Sequence, residues 1–146
     1  MRAALAIAVL ACACDRAPPI ASCTDDLAGV YEAETAPTRA RWHVLDNRVS
    51  LEVYPIFADS LRPDGLEVAP RVIDLRRTPD AFVGQVTRRY MRGTTRCDAK
   101  APARVTTCKD NTLEIVLADP VPPIGFAPCV WGQTASSRRE RWRRVQ

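Results

Sequence analysis

Six cysteines, a lone histidine and a terminal run of arginines are the residues of this 146-residue chain whose types could do chemistry. The cysteines are Cys12, Cys14, Cys23, Cys97, Cys108 and Cys129. Thiols can hold a metal, attack a carbonyl or close bridges, and their spacing chooses among these roles. No Cys-x-x-Cys occurs and His43 is the only histidine, so no zinc set of ordinary spacing is encoded. Nucleophilic catalysis needs a base held against the nucleophile. His43 alternates away from Trp42 and Val44, toward solvent. Neither Gly-x-Ser-x-Gly nor a phosphate-cradling glycine loop is present. Asp25-Asp26 and Glu32 with Glu34 are the carboxylate pairs that could act as acid and base. At turns and on alternating strand positions such groups usually just solvate an outer face. No catalytic residue, metal or cofactor is therefore expected; the chain reads as a non-enzyme.

The elements that position the cysteines begin with the first fourteen residues. Arg2, an apolar run through Ala11, and small residues around Cys12 and Cys14 follow the order of an export signal. This segment resembles a bacterial lipoprotein signal, and the resemblance implies lipid attachment at Cys14, which becomes the new N-terminus. Parity agrees: cleavage there leaves an even set of four cysteines, whereas cleavage at Cys12 leaves Cys14 as an odd thiol. Residues 1–13 are then a signal peptide, 14–22 a lipidated tether with Pro18 and Pro19, and 23–146 a single β domain. The resemblance implies several acyl chains on one residue, enough to hold the protein to a membrane. No other run approaches the ~20 residues of a membrane span. The expected location is the bacterial cell envelope, facing the periplasm or the cell surface, where thiols pair.

Four remaining cysteines allow three pairings. Residues 98–102 read as a turn between neighbouring strands, which sets Cys97 opposite Cys108. Cys23 with Cys129 follows by elimination.

Elsewhere the pattern has period two with turn residues at the breaks, a β signature. Gly29, Tyr31 and Ala33 share a face. Trp42 and Val44 precede an Asp46-Asn47 hairpin turn, after which Val49, Leu51 and Val53 alternate with polar neighbours. Residues 72–76 form a short strand, and Phe82, Val86 and Tyr90 line one side of the next. Residues 103–108 and the run Leu113, Ile115, Leu117 flank a turn at 109–111, and residues 138–145 form the last strand. Two proline-rich connections, 55–70 and 119–137, interrupt the series, with one helical turn expected near 58–61. About eight short antiparallel strands lose their edges most simply by closing into a small barrel. A two-sheet sandwich is the alternative. The opening Leu27-Ala28-Gly29-Val30-Tyr31 resembles the glycine-plus-aromatic start of lipocalin-like barrels, which agrees with a basic side chain of the final strand packing over that end.

The formal charge is +4, or +3 once Arg2 leaves with the signal. Residues 138–144 contribute five arginines against one glutamate, so residues 14–137 sum to −1 by subtraction. Arg139, Arg141 and Arg143 fall on one face of a strand and would form an outward anion-binding ladder if Trp142 faces inward. Arg88, Arg89, Arg92 and Arg96 would extend it if their strand lies nearby. Three functions fit these features. The first is a non-catalytic envelope lipoprotein binding a small apolar or amphipathic molecule. The second is a protein-interaction lipoprotein, such as an inhibitor of a cell-wall hydrolase, working through the two long connections. The third is binding to an anionic surface through the arginines. Nucleic acid is not an expected partner outside the cytoplasm, and the protein is expected to be a monomer.

Overall fold

A computed structural model describes residues 23, 26–34, 40–56, 63–79, 81–132 and 136–146. The signal segment, Cys14, the tether and the helical turn expected near 58–61 lie outside the described residues. Eight strands form a closed antiparallel barrel in which each pairs with the next in sequence. They are β1 (Gly29–Ala33), β2 (Arg41–Asp46), β3 (Ser50–Ile56), β5 (Val72–Arg77), β6 (Phe82–Arg92), β7 (Thr95–Lys109), β8 (Thr112–Ala118) and β11 (Ser137–Arg144). Closure comes from β1 pairing with β11, Tyr31 opposite Arg144 and Ala33 opposite Trp142. The short β4 (Leu66–Val68) lies beside the far part of β6, and β9 (Gly125–Phe126) with β10 (Cys129–Val130) makes a separate small hairpin. The barrel expectation holds.

Alternation builds the interior. Tyr31, Trp42, Val44, Leu51, Val53, Ile73, Leu75, Phe82, Val86, Val105, Leu113, Ile115, Leu117 and Trp142 are all buried, one set from each strand. Gly84 lets β5 and β6 cross closely, since a Cβ there would lie 1.9 Å from the Asp74 carbonyl oxygen.

The two ends differ. One, the turn end, is made of tight reversals. Asp110 and Asn111 both have positive φ, 50° and 61°, the geometry of a two-residue hairpin turn. The first hairpin reverses two residues later than expected, through Arg48 (φ 71°), because Asp46 still pairs with Leu51. The Asp46 and Asn47 carboxyl and amide oxygens instead accept from the Arg48, Val49 and Ser50 amides and hold the turn from its flank. The other, the loop end, receives the connections 34–40, 57–71 and 119–136.

The cysteine pairing differs from the expected one. Residues 98–102 do not turn: the reversal is at Gly93 (φ 59°), and β7 runs unbroken from Thr95 to Lys109. Cys97 and Cys108 therefore sit on a single strand, about 36 Å apart at ~3.3 Å per residue, and cannot meet. Pro102 is tolerated because the β8 ladder begins only at Ala103. The bridges are Cys23–Cys108, with Cα atoms 5.1 Å apart, and Cys97–Cys129, at 5.8 Å. The first plugs the turn end. Leu27 is buried there, its amide donates to Asp46 (3.0 Å), and its carbonyl accepts from the Tyr31 hydroxyl (3.0 Å). Arg77 donates to the Cys23 carbonyl and stacks on Phe82 at 4.3 Å. Arg144 donates to the Asp26 carbonyl (3.2 Å), so a basic side chain of the last strand does pack over this end.

Candidate functional site

At the loop end a polar cluster caps the aromatic core. Trp42 on β2 and Trp142 on β11 stack with ring centroids 5.1 Å apart and planes 4° from parallel. Arg71, just before β5, lies over the Trp42 ring at 4.6 Å. Its guanidinium reaches Asp119 at 2.7 Å and Glu140 at 3.3 Å. Arg138 binds the same two carboxylates, Glu140 at 2.7 Å. Trp142 Nε1 donates to the second Glu140 oxygen at 2.8 Å. Two guanidinium groups thus neutralise two carboxylates, and every oxygen of Glu140 and Asp119 accepts from an arginine or an indole. Such a cluster fastens the β4–β5 link, the end of β8 and the start of β11 to one another. Trp42 Nε1 is buried and has no acceptor among the described residues.

Beyond this cluster the β6–β7 hairpin continues past the barrel wall. Val68, Tyr90 and Ala99 form a second small core with Leu66 and Phe126 packed against it. The Tyr90 hydroxyl donates to the Pro120 carbonyl, and Cys97–Cys129 ties the β9–β10 hairpin down. That hairpin leaves three large apolar side chains in water: Ile124, 75% exposed, with Val130 and Trp131, each 43% exposed. On the outer wall nearby, β3 loses its β5 partner beyond Val53. A groove of about 390 Å³ opens there between Tyr54, Pro55, Ala69, Pro70, Val72 and Thr87.

The sequence-predicted arginines are outward, as Trp142 is inward and fully buried. They are not a free cationic ladder. Arg141 binds Glu114 at 2.7 Å and Arg143 binds Glu34 at 2.9 Å; only Arg139 makes no ion pair with another described residue. The hydrogen bond from Arg141 holds the Glu114 carboxyl below the usual carboxylate range, against the opposing effect of its partial desolvation. Arg88, Arg89, Arg92 and Arg96 lie on β6 and β7, separated from β11 by β8, so they do not extend the ladder. Arg89 and Arg96 both bind Asp98. His43 is exposed on the outer face of β2. Of the carboxylate pairs, Asp25 lies outside the described residues, Asp26 caps the Ala28 amide (2.9 Å), and Glu32 faces Arg41 at 3.4 Å. Among the described residues no three His, Cys, Asp or Glu side chains cluster as metal ligands.

Sequence reasoning passed over Arg71, Asp119 and Glu140 as a unit. One signal was there: Glu140 shares the face of Trp142, and a carboxylate on an inward position must find a partner. The other was the run 120–132, thirteen residues without a charge.

The fold and its loop end define a small closed antiparallel barrel with a stacked tryptophan pair in its interior and a disulfide-clamped apolar hairpin. No family model, curated protein or solved structure matches the chain.

Proposed function

We propose that this protein is a non-catalytic envelope lipoprotein that works by contact with another macromolecule at its loop end. The observation that carries the reading is the stacked Trp42–Trp142 pair under Arg71, two large rings buried in the barrel interior, where a hollow barrel would hold its ligand. Binding residues concentrate on loops held by a rigid scaffold, and here the long connections all leave one end. Two disulfides support an oxidising compartment. Inhibition of a cell-wall hydrolase is one activity such a module could have. A second reading, a binder of a small apolar or amphipathic molecule, is favoured by the outer groove. Its volume of about 390 Å³ falls in the range of roughly 300–1,000 Å³ for small-molecule sites.

Two measurements test this. A photo-crosslinker replacing Val130 should yield discrete adducts in envelope membranes, while one replacing the more accessible Val49 at the turn end should not. An apolar fluorescent dye should leave the emission of the buried tryptophans unchanged. Adducts only from Val49, or dye binding that quenches Trp42 and Trp142, would sink the contact reading.

A further inference from the structure

We propose that the β9–β10 hairpin is a docking surface for an acidic protein segment with an apolar centre, an inference that rests on the contact reading above. Residues 120–132 carry no charge, yet three of their large apolar side chains stay exposed. The Ile124 amide donates to the Val130 carbonyl at 2.8 Å, one position off the Gly125–Val130 register, which holds Ile124 against β10. Gly132 lets the Ile124 side chain lie against the backbone; a Cβ there would stand 3.0 Å from it. The patch is also held in place. Cys129 is bridged to β7, and Phe126 is packed on the second core. Tryptophan in such a setting is the residue type that most often dominates a protein interface.

Charge says what surrounds the apolar centre of the partner. Residues 88–100, the strand tips that carry the hairpin, hold five basic side chains against one acid, Asp98. Arg92 lies over the Phe126 ring at 5.1 Å and has no carboxylate partner among the described residues. An uncharged apolar knob on a basic platform complements an apolar segment flanked by aspartate or glutamate. An anionic lipid surface offers similar chemistry, but the architecture favours protein. Cys23 enters at the turn end through its bridge to Cys108. A tether of residues 14–22 spans at most about 30 Å, less than the ~36 Å between Cys108 and Cys97 along β7. A lipid at Cys14 would therefore hold the turn end toward its membrane and point the hairpin away.

The test uses the oxidised full-length protein and three probes: a synthetic peptide of leucine and phenylalanine flanked by glutamates, its lysine-for-glutamate twin, and phosphatidylglycerol vesicles. Calorimetry should find the acidic peptide bound in a salt-sensitive manner, about tenfold or more tighter than the twin. Trp131→Ala should weaken it by about tenfold or more, Arg92→Glu should abolish the preference for acid, and Val49→Ala should change nothing. Near-UV circular dichroism of the buried tryptophans verifies that each variant is folded. Equal binding of the twin, binding unaffected by Trp131→Ala, or vesicle binding without peptide binding would overturn the proposal. Failure here with the dye still excluded leaves the contact reading standing. Dye entering the barrel while the peptide binds as expected removes the non-carrier reading and leaves the docking surface.

Discussion

Glu140 shows how one residue sets the character of the loop end. Its strand position turns it inward beside Trp142, where a carboxylate must be compensated; Arg71, just before β5, and Arg138, two residues earlier on β11, supply the compensation. Breaking a buried pair costs more than the pair contributes, because the remaining charge is stranded. Glu140→Ala should therefore lower unfolding free energy in urea by about 3–5 kcal/mol. Glu140→Gln, which still accepts from the indole, should cost less. Tyrosines give a pH signature at the same scale. Burial, opposed by Arg144, pushes the Tyr31 phenol above its ordinary value of 10.0, and burial likewise raises Tyr90. A phenol kept protonated by the fold leaves stability unchanged below the unfolded value. As pH rises from there through the folded value, the unfolded chain has already lost its proton and stability drains away. Denaturation curves should thus show stability declining above about pH 10. Tyr31→Phe should soften that decline, and at neutral pH should cost about 1 kcal/mol for the hydrogen bond lost to Leu27.

Individual strands were legible where large apolar residues alternate. The runs Val44 to Val53, Phe82 to Tyr90 and Leu113 to Leu117 each carry an amphipathic signal that only a half-buried strand satisfies. The near half of β7 was not legible, and the reason lies in its inward residues. Cys97, Ala99 and Ala101 are buried but small, Cys97 bridged to Cys129 and Ala99 part of the second core, so the inner face reads as neutral and Asp98 to Pro102 looks like a turn. The cysteine pairing went wrong with it. Arg71 and Asp119 sit at strand ends with no period around them, and only the three-dimensional closure brings them to Glu140. Gly84 is the sharpest test of the strand packing. It is unremarkable in the sequence, yet any Cβ would press on the Asp74 carbonyl backbone, which cannot rotate away. Gly84→Ala should destabilise by about 3 kcal/mol or more, the upper range for overpacking, and amide exchange should accelerate along the paired residues of β5 and β6. Pairing across β8 and β11 predicts a milder effect. Arg141 holds the Glu114 carboxyl low, so its contribution is present at neutral pH and is lost as pH falls through that depressed value.

For the molecule as a whole, the two disulfides divide the labour between holding the barrel and presenting its hairpin. Cys23–Cys108 closes a separation of 85 residues and seals the turn end; Cys97–Cys129 closes 32 and fastens the appended hairpin to β7. Chain entropy assigns them about 4.6 and 3.7 kcal/mol, upper values for real bridges. Similar magnitudes conceal different roles. Replacing Cys23 and Cys108 with serine frees the segment that buries Leu27 and supplies the acceptor for Tyr31, so global unfolding should shift and the alkaline sensitivity of the phenol should disappear with it. Replacing Cys97 and Cys129 leaves all eight barrel strands and the stacked indoles intact, because neither cysteine belongs to the main core. Its loss should appear as local opening: rapid amide exchange and protease cleavage within 120–132, while the near-UV signal of Trp42 and Trp142 persists to nearly the original temperature. If docking depends on a pre-ordered knob, that second variant should also weaken acidic-peptide binding although Trp131 and Arg92 remain, since ordering the hairpin must then be done at the expense of binding energy. A double variant that unfolds the barrel outright would mean that the hairpin is part of the barrel's stability rather than an attachment to it.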